Sequence, residues 1–175
     1  MKTAIITLFL AIVLTITGDA KDLTVGGEVF ESAASPSSTQ SAVEEYVLRG
    51  QSLKNWTRLI SVRHFPNISS PKDYITNMAA EYRKLYPQMK FAVDQSDGRW
   101  FFDCIMYPRD NGPKFVEWNF FAVRVAPEGG IVVQQYAARA PYQSSVEEAF
   151  EALDVKSLRQ RMLPILKKSN FATQP

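Results

Sequence analysis

Residues 90–140 read KFAVDQSDGRWFFDCIMYPRDNGPKFVEWNFFAVRVAPEGGIVVQQYAARA, and the punctuation of this stretch decides the architecture. Asp97-Gly98 separates "KFAVDQS" from "RWFFDCIMYP", and that dipeptide suits a tight hairpin whose central residues need positive φ. "RDNGP" at 109–113 turns the chain into the long strand "KFVEWNFFAVRVA", and "PEGG" at 127–130 turns it back into "IVVQQYAARA". Strands joined by turns this short are antiparallel neighbours, so the stretch predicts a four-strand meander. Along the long strand the two faces differ. Val116, Trp118, Phe120 and Ala122 make one side apolar throughout, which places Trp118 inside. The other side begins polar at Glu117 and Asn119 and turns apolar at Phe121, Val123 and Val125. A sheet half-covered on its second face has that pattern.

Working outward, "EEYVLRG" (44–50) reads as a short strand. "NWTRLISVRHF" (55–65) alternates with Trp56, Ile60 and Val62 on one face, which predicts another. "SSPKDYITNMAAEYRKLYP" (69–87) is the first helix. Ser70 lies three before Asp73 in a capping-box arrangement, Pro71 takes the first helical position, and Pro87 stops it. Tyr74, Met78 and Tyr82 form its apolar stripe, with Ile75, Ala79 and Leu85 beside them. Beyond the meander, Ser145 and Glu148 form a second capping box, and Val146, Ala149, Phe150 and Leu153 share a face. Leu158, Met162, Ile165 and Leu166 continue at helical spacing. Asp154 is suited to cap a fresh start and Pro164 costs a backbone hydrogen bond, so two helical pieces or one kinked helix are expected. The element order is β-β-α-β-β-β-β-α: an α+β fold with two helical regions packed on a largely antiparallel sheet.

The 175 residues, 46% hydrophobic and 22% charged, suit one globular domain. Residues 1–20 have the form of a signal peptide. Lys2 leads, "AIITLFLAIVLTI" is apolar but short of the ~20 residues that span a bilayer, and Gly18 and Ala20 precede a cleavage junction at Lys21. Residues 21–43, rich in Ser, Ala, Gly and Thr, read as a flexible linker with a net charge of −2 and few apolar contacts to offer. Residues 44–168 form the domain, and 169–175 should fray. The mature chain is therefore expected to be exported, periplasmic or extracellular, without a membrane span. Cys104 is alone, so no intrachain disulfide can form. The sequons at Asn55 and Asn67 matter only in a eukaryotic secretory route. Residues 44–175 carry a net charge of +4, without the clustered basic stripe of a nucleic-acid binder.

The runs "EYVLRGQSLKNWTRLISVRHFP" and "EWNFFAVRVAPEGGIVVQQYAAR" resemble a group of uncharacterised exported bacterial proteins whose N-terminal strands carry a similar Gly, Trp-Thr and Phe-Pro pattern. The element order is similar to the PsbP-like fold. The likeness covers roughly residues 44–168 and implies a fold; it transfers no functional residue.

Candidate chemistry is sparse. His64, the only histidine, falls on the face of Trp56, Ile60 and Val62 without a partner at recognisable spacing, and reads as strand filler with a structural hydrogen bond. Cys104 lies in an apolar strand and reads as an inert buried thiol. One Cys and one His are too few for a structural zinc site, and "DQSDG" (94–98) is a turn rather than a calcium loop. Asp103 and Glu117, with Arg124 and Arg139, fit cross-strand charge pairing on a solvated face. "KSLRQRMLPILKK" (156–168) reads as a core-packing helix in preference to a membrane-surface or partner-binding one. No catalytic residue, cofactor or metal is expected. The expected function is an exported non-enzymatic envelope module that binds an unknown protein or small ligand across its sheet. The alternatives are a secreted hydrolase using His64 and a structural or chaperone-like envelope component.

Overall fold

The protein is described from a computed structural model, which covers residues 22–33, 42–107, 115–141 and 145–169. Among these residues one antiparallel sheet carries eight strands: Leu23–Val25 (β1), Glu28–Ala33 (β2), Ala42–Leu48 (β3), Arg58–Phe65 (β4), Lys90–Ser96 (β5), Arg99–Met106 (β6), Phe115–Val125 (β7) and Ile131–Pro141 (β8). Their spatial order is β1-β2-β3-β4-β8-β7-β6-β5. The helices are Pro71–Leu85 (α1), Val146–Leu153 (α2) and Val155–Lys168 (α3). The architecture is thus strand-dominated, with helices on both faces of the sheet.

The meander is as the turns predict. Asp97 and Gly98 both have positive φ, 51° and 71°, and join β5 to β6. At the β7–β8 turn, Gly130 has φ 76°, and a Cβ there would meet the Phe65 carbonyl oxygen at 2.3 Å. The turn therefore closes against the end of β4 only because the side chain is absent. The "RDNGP" turn, the signal peptide and the tail beyond Ser169 lie outside the described residues.

One side of the sheet, here the α2/α3 face, is continuous hydrocarbon: Phe30, Ile60, Val116, Trp118, Phe120, Tyr136 and Ala138 pack under Leu153, Leu158, Met162 and Leu166. Trp118 is fully buried. Its indole Nε1 donates to Asp103 Oδ1 at 2.5 Å, which satisfies the polar end of the ring inside the core. The α1 face holds a smaller core, in which Ile75 and Ala79 meet Phe102, Cys104, Phe121, Val123, Ile131 and Val133. Ser70 caps α1, its Oγ accepting from Asp73 N at 3.1 Å. Leu85, expected beside the apolar stripe, is instead 49% exposed; it lies in the last turn, beyond the side of α1 that meets the sheet.

Two expectations need correction. Residues 21–43 are not a flexible linker over their described part: 23–33 form the β1–β2 hairpin and 42–43 begin β3. Phe30 is fully buried and pairs with Leu48 in register. Gly26, at φ 60°, brings the hairpin against α3, where a Cβ would meet Met162 Sδ at 2.7 Å. The element order therefore gains two strands ahead of those expected. The second correction concerns Trp56. It precedes β4 and packs with Val47, Leu59 and Ala137, so it lies on the α1 face and does not share a face with Ile60 and Val62.

The helical end divides as its cap chemistry predicts. Asp154 takes the left-handed conformation, ending α2, and its side chain accepts from Ser157 N to start α3. Pro164 lies within α3, whose Leu158, Met162 and Leu166 are buried. The basic side of α3 turns onto the sheet: Arg159 pairs with Asp103, Arg161 with Glu28 at 3.3 Å, and Lys167 with Asp94. Core packing therefore accounts for the apolar side of the helix, and three of its cations pair with carboxylates of the sheet.

Candidate functional site

The α1 face is covered in two places. On one side α1 lays Tyr82 against Phe102 and Phe121, ring centroids 6.1 Å away in each case, and Tyr74 against Phe65 at 5.4 Å. On the other, Trp56 closes over Leu59, Val47 and Ala137. The loop carrying Trp56 is held by Gln51, whose Oε1 accepts from Thr57 N at 2.7 Å. Arg139 anchors it too, donating to the Trp56 carbonyl at 2.6 Å. The Arg139 guanidinium lies 3.9 Å from the Trp56 ring centroid and 4.3 Å from that of Phe115. Stacked between two rings, this cation clamps the loop to β8.

Between the two covers the face turns polar. Pairing puts Phe121, Gln135, Ser61 and Glu45 in one row across β7, β8, β4 and β3. Glu117 faces Arg139 in the row toward one end, and Val133 faces Arg63 toward the other. Gln135 Nε2 donates to Asn119 Oδ1 at 2.8 Å, and Asn119 Nδ2 donates to Glu117 Oε1 at 2.9 Å. Arg63 Nε donates to Ser61 Oγ at 3.2 Å. Asn119 and Ser61 are fully buried, whereas Glu117, Gln135, Arg63 and Arg139 are half-buried. Strands β4, β7 and β8 thus lay a hydrogen-bonded strip along the sheet, with its outer members within reach of solvent.

The electrostatics follow from burial. Glu117 has its carboxyl pushed above the usual carboxylate range, chiefly by desolvation, against the Asn119 hydrogen bond and the Arg139 charge. Burial raises the Tyr82 phenol to about 12. Tyr74 also rises through burial, opposed by the charge of Arg63. The Cys104 thiol is pushed well up by burial and then by the Asp103 and Glu117 charges, so it remains a protonated core residue. The strip thus combines amides, a hydroxyl, two guanidinium groups and a carboxyl whose protonation burial favours.

The residues singled out in the sequence scatter. Glu117 and Arg139 do face each other across the ladder. Asp103 does not join them: it pairs with Phe120, on the opposite face of the sheet, and is buried among Trp118 and Arg159. The solvated-face reading of Asp103 is therefore wrong, and the two carboxylates form no acid–base pair. Arg124 lies opposite Val132, on the α2/α3 face. His64, also on that face, places Nε2 2.9 Å from the Gly129 carbonyl oxygen and 3.7 Å from Glu128 Oε1. It braces the β7–β8 turn and cannot meet Glu117 or Cys104. Asn55 lies in an exposed loop, where its Oδ1 accepts from Ser52 N at 2.8 Å, and Asn67 is exposed just before α1. Gln135 and Ser61 carry no signal in the sequence, where Gln135 follows Gln134 and Ser61 stands between Ile60 and Val62. Only the polar start of the second face of β7 signalled the strip.

Among the described residues, no three of His, Cys, Asp and Glu come together as metal ligands would. No helix among them is long and apolar enough to cross a membrane. A groove of about 620 Å³ follows α1 and is lined by Asn67, Ser70, Asp73, Tyr74 and Asn77 among others. No curated protein gives a significant match to the sequence. A family profile matches residues 19–171, a span that takes in the β1–β2 hairpin as well as the meander and α3. The chain belongs to that family, whose function is uncharacterised.

Proposed function

We propose that the protein is an exported, non-enzymatic binding module that holds a polar ligand along the strip between α1 and the Trp56 loop. The Glu117–Asn119–Gln135 hydrogen-bonded chain carries this reading. Leucine or valine at these positions would extend the hydrocarbon core already formed by Phe121 and Val123, and burying amides costs stability unless every bond is made. Local departures from the folding optimum of this kind collect at functional sites. Asn119 is held from both sides, which fixes the direction of Gln135. Gln135 spends one amide hydrogen on Asn119 and retains a carbonyl and a second hydrogen for a ligand. Export rests on the form of residues 1–20. The competing hydrolase reading would use His64, whose Nε2 lies 2.9 Å from the Gly129 carbonyl oxygen and 3.7 Å from Glu128 Oε1, an arrangement that a turn brace already explains.

Thermal-shift screening of small polar molecules tests the site. A ligand of the strip should raise the unfolding midpoint of the wild type and of His64→Gln, and should lose that effect in Gln135→Leu. Stabilisation that survives Gln135→Leu intact would place the binding site elsewhere.

A further inference from the structure

The two edges of the sheet are guarded very differently. β1 is three residues long, whereas β5 runs for seven, Lys90–Ser96, every one of them exposed. Phe91 is 37% and Val93 44% exposed, both on the α1 face. An uncovered edge of that length, without proline, is a template for another strand. We propose that β5 pairs antiparallel with β5 of a second copy about a dyad at Ala92, joining two eight-stranded sheets into one.

The register follows from the hairpin and from charge. The two-residue turn at Asp97-Gly98, with both φ positive, makes Ser96 and Arg99 a mutually hydrogen-bonded pair. Alternation then directs the N–H and C=O groups of Asp94, Ala92 and Lys90 toward β6. Those of Gln95, Val93 and Phe91 point away from the sheet. A self-paired ladder must match outward residues with outward residues, which places the dyad on a residue and not between two. Centred on Ala92, Phe91 and Val93 exchange backbone bonds with each other's copy and stack their side chains on one face. On the other face each Lys90 meets the partner's Asp94, a carboxylate that the partner's own Lys167 also pairs. Centred on Val93 instead, Lys90 would face Ser96, and Ala92 would face Asp94, with no charge matched. Ala92 is therefore the complementary centre.

Sedimentation of the full mature chain over a wide concentration range, with designed variants, decides the matter. The wild type should show a concentration-dependent monomer–dimer equilibrium. Val93→Pro should abolish it while the monomer keeps its unfolding midpoint, because the lost N–H points outward and edge strands tolerate proline. Lys90→Asp and Asp94→Lys should each be monomeric, since each sets like charges across the dyad. An equimolar mixture of the two should recover a dimer, now a heterodimer. A change in folding alone would not produce that rescue. A wild type that is monomeric throughout, a dimer indifferent to Val93→Pro, or variants that fail to complement would each overturn the proposal. So would a dimer seen only after residues 170–175 are removed, since the chain's own tail would then be the occupant of the edge.

Discussion

Glu117 keeps a carboxyl in a place that disfavours its charge. Desolvation raises its pKa, while the Asn119 bond and Arg139 hold it back. A folded-state pKa above the unfolded one means that the native protein binds the proton more tightly. Ionised Glu117 therefore costs stability above the folded pKa, and the cost fades as pH falls through that value toward the ordinary carboxylate range. Glu117→Gln removes the titration and can still accept from Asn119. Its unfolding midpoint should exceed that of the wild type at pH 8, and the gap should close on acidification; a gap independent of pH would mean that Glu117 titrates normally. At this scale the sequence is a poor guide. His64 and Cys104 attract attention by being single copies, yet one braces a turn and the other fills a core. The residues of the strip are common types whose meaning lies in the rows they share across three strands, and row neighbours come from register, which no local pattern states.

Elements are legible where their determinants are local. The Asp97-Gly98 hairpin, the Ser70 and Ser145 caps and the Asp154 break all follow from a few adjacent residues, and each is present. The β1–β2 hairpin reads as a tether because its strands are short and its neighbours are rich in serine. What holds it lies far away in the chain: Leu48 across the ladder, Met162 against Gly26, and Tyr136, whose ring meets that of Phe30 edge-on at 6.4 Å. Arg49 adds pairs to Asp22 and Glu31, though exposed pairs contribute little. Phe30→Ala should therefore cost about 3–5 kcal/mol, the usual range for a fully buried aromatic. Urea unfolding measures it, and a loss below about 1 kcal/mol would show the hairpin to be loosely attached.

At the scale of the molecule, one sheet separates two cores that share its central strands. Phe120 and Phe121 are consecutive in β7 yet belong to different cores, and Val133 and Tyr136 divide β8 in the same way. Neither core can be lost while the other keeps its floor, since dismantling either removes β7 and β8 from both. The whole should therefore unfold in one cooperative step, with α1 and its core melting together with the α2/α3 layer. Ile60, fully buried in the larger core, and Ile75, fully buried in the smaller, probe the two sides. Ile60→Val and Ile75→Val should each cost about 0.5–1.5 kcal/mol. Lying on opposite faces without shared partners, they should add to within about 0.5 kcal/mol in the double variant. Each variant should also give the same midpoint by far-ultraviolet dichroism, which follows the sheet and helices, and by tryptophan fluorescence, which includes buried Trp118. If Ile75→Val instead splits the transition into two steps, the first of which perturbs Trp100 of the α1 core while Trp118 stays buried, then α1 is a separate layer and the sheet stands without it. The strip beside α1 would in that case lose one of its two walls before the molecule unfolds, and ligand affinity would fall at temperatures where Trp118 is still buried.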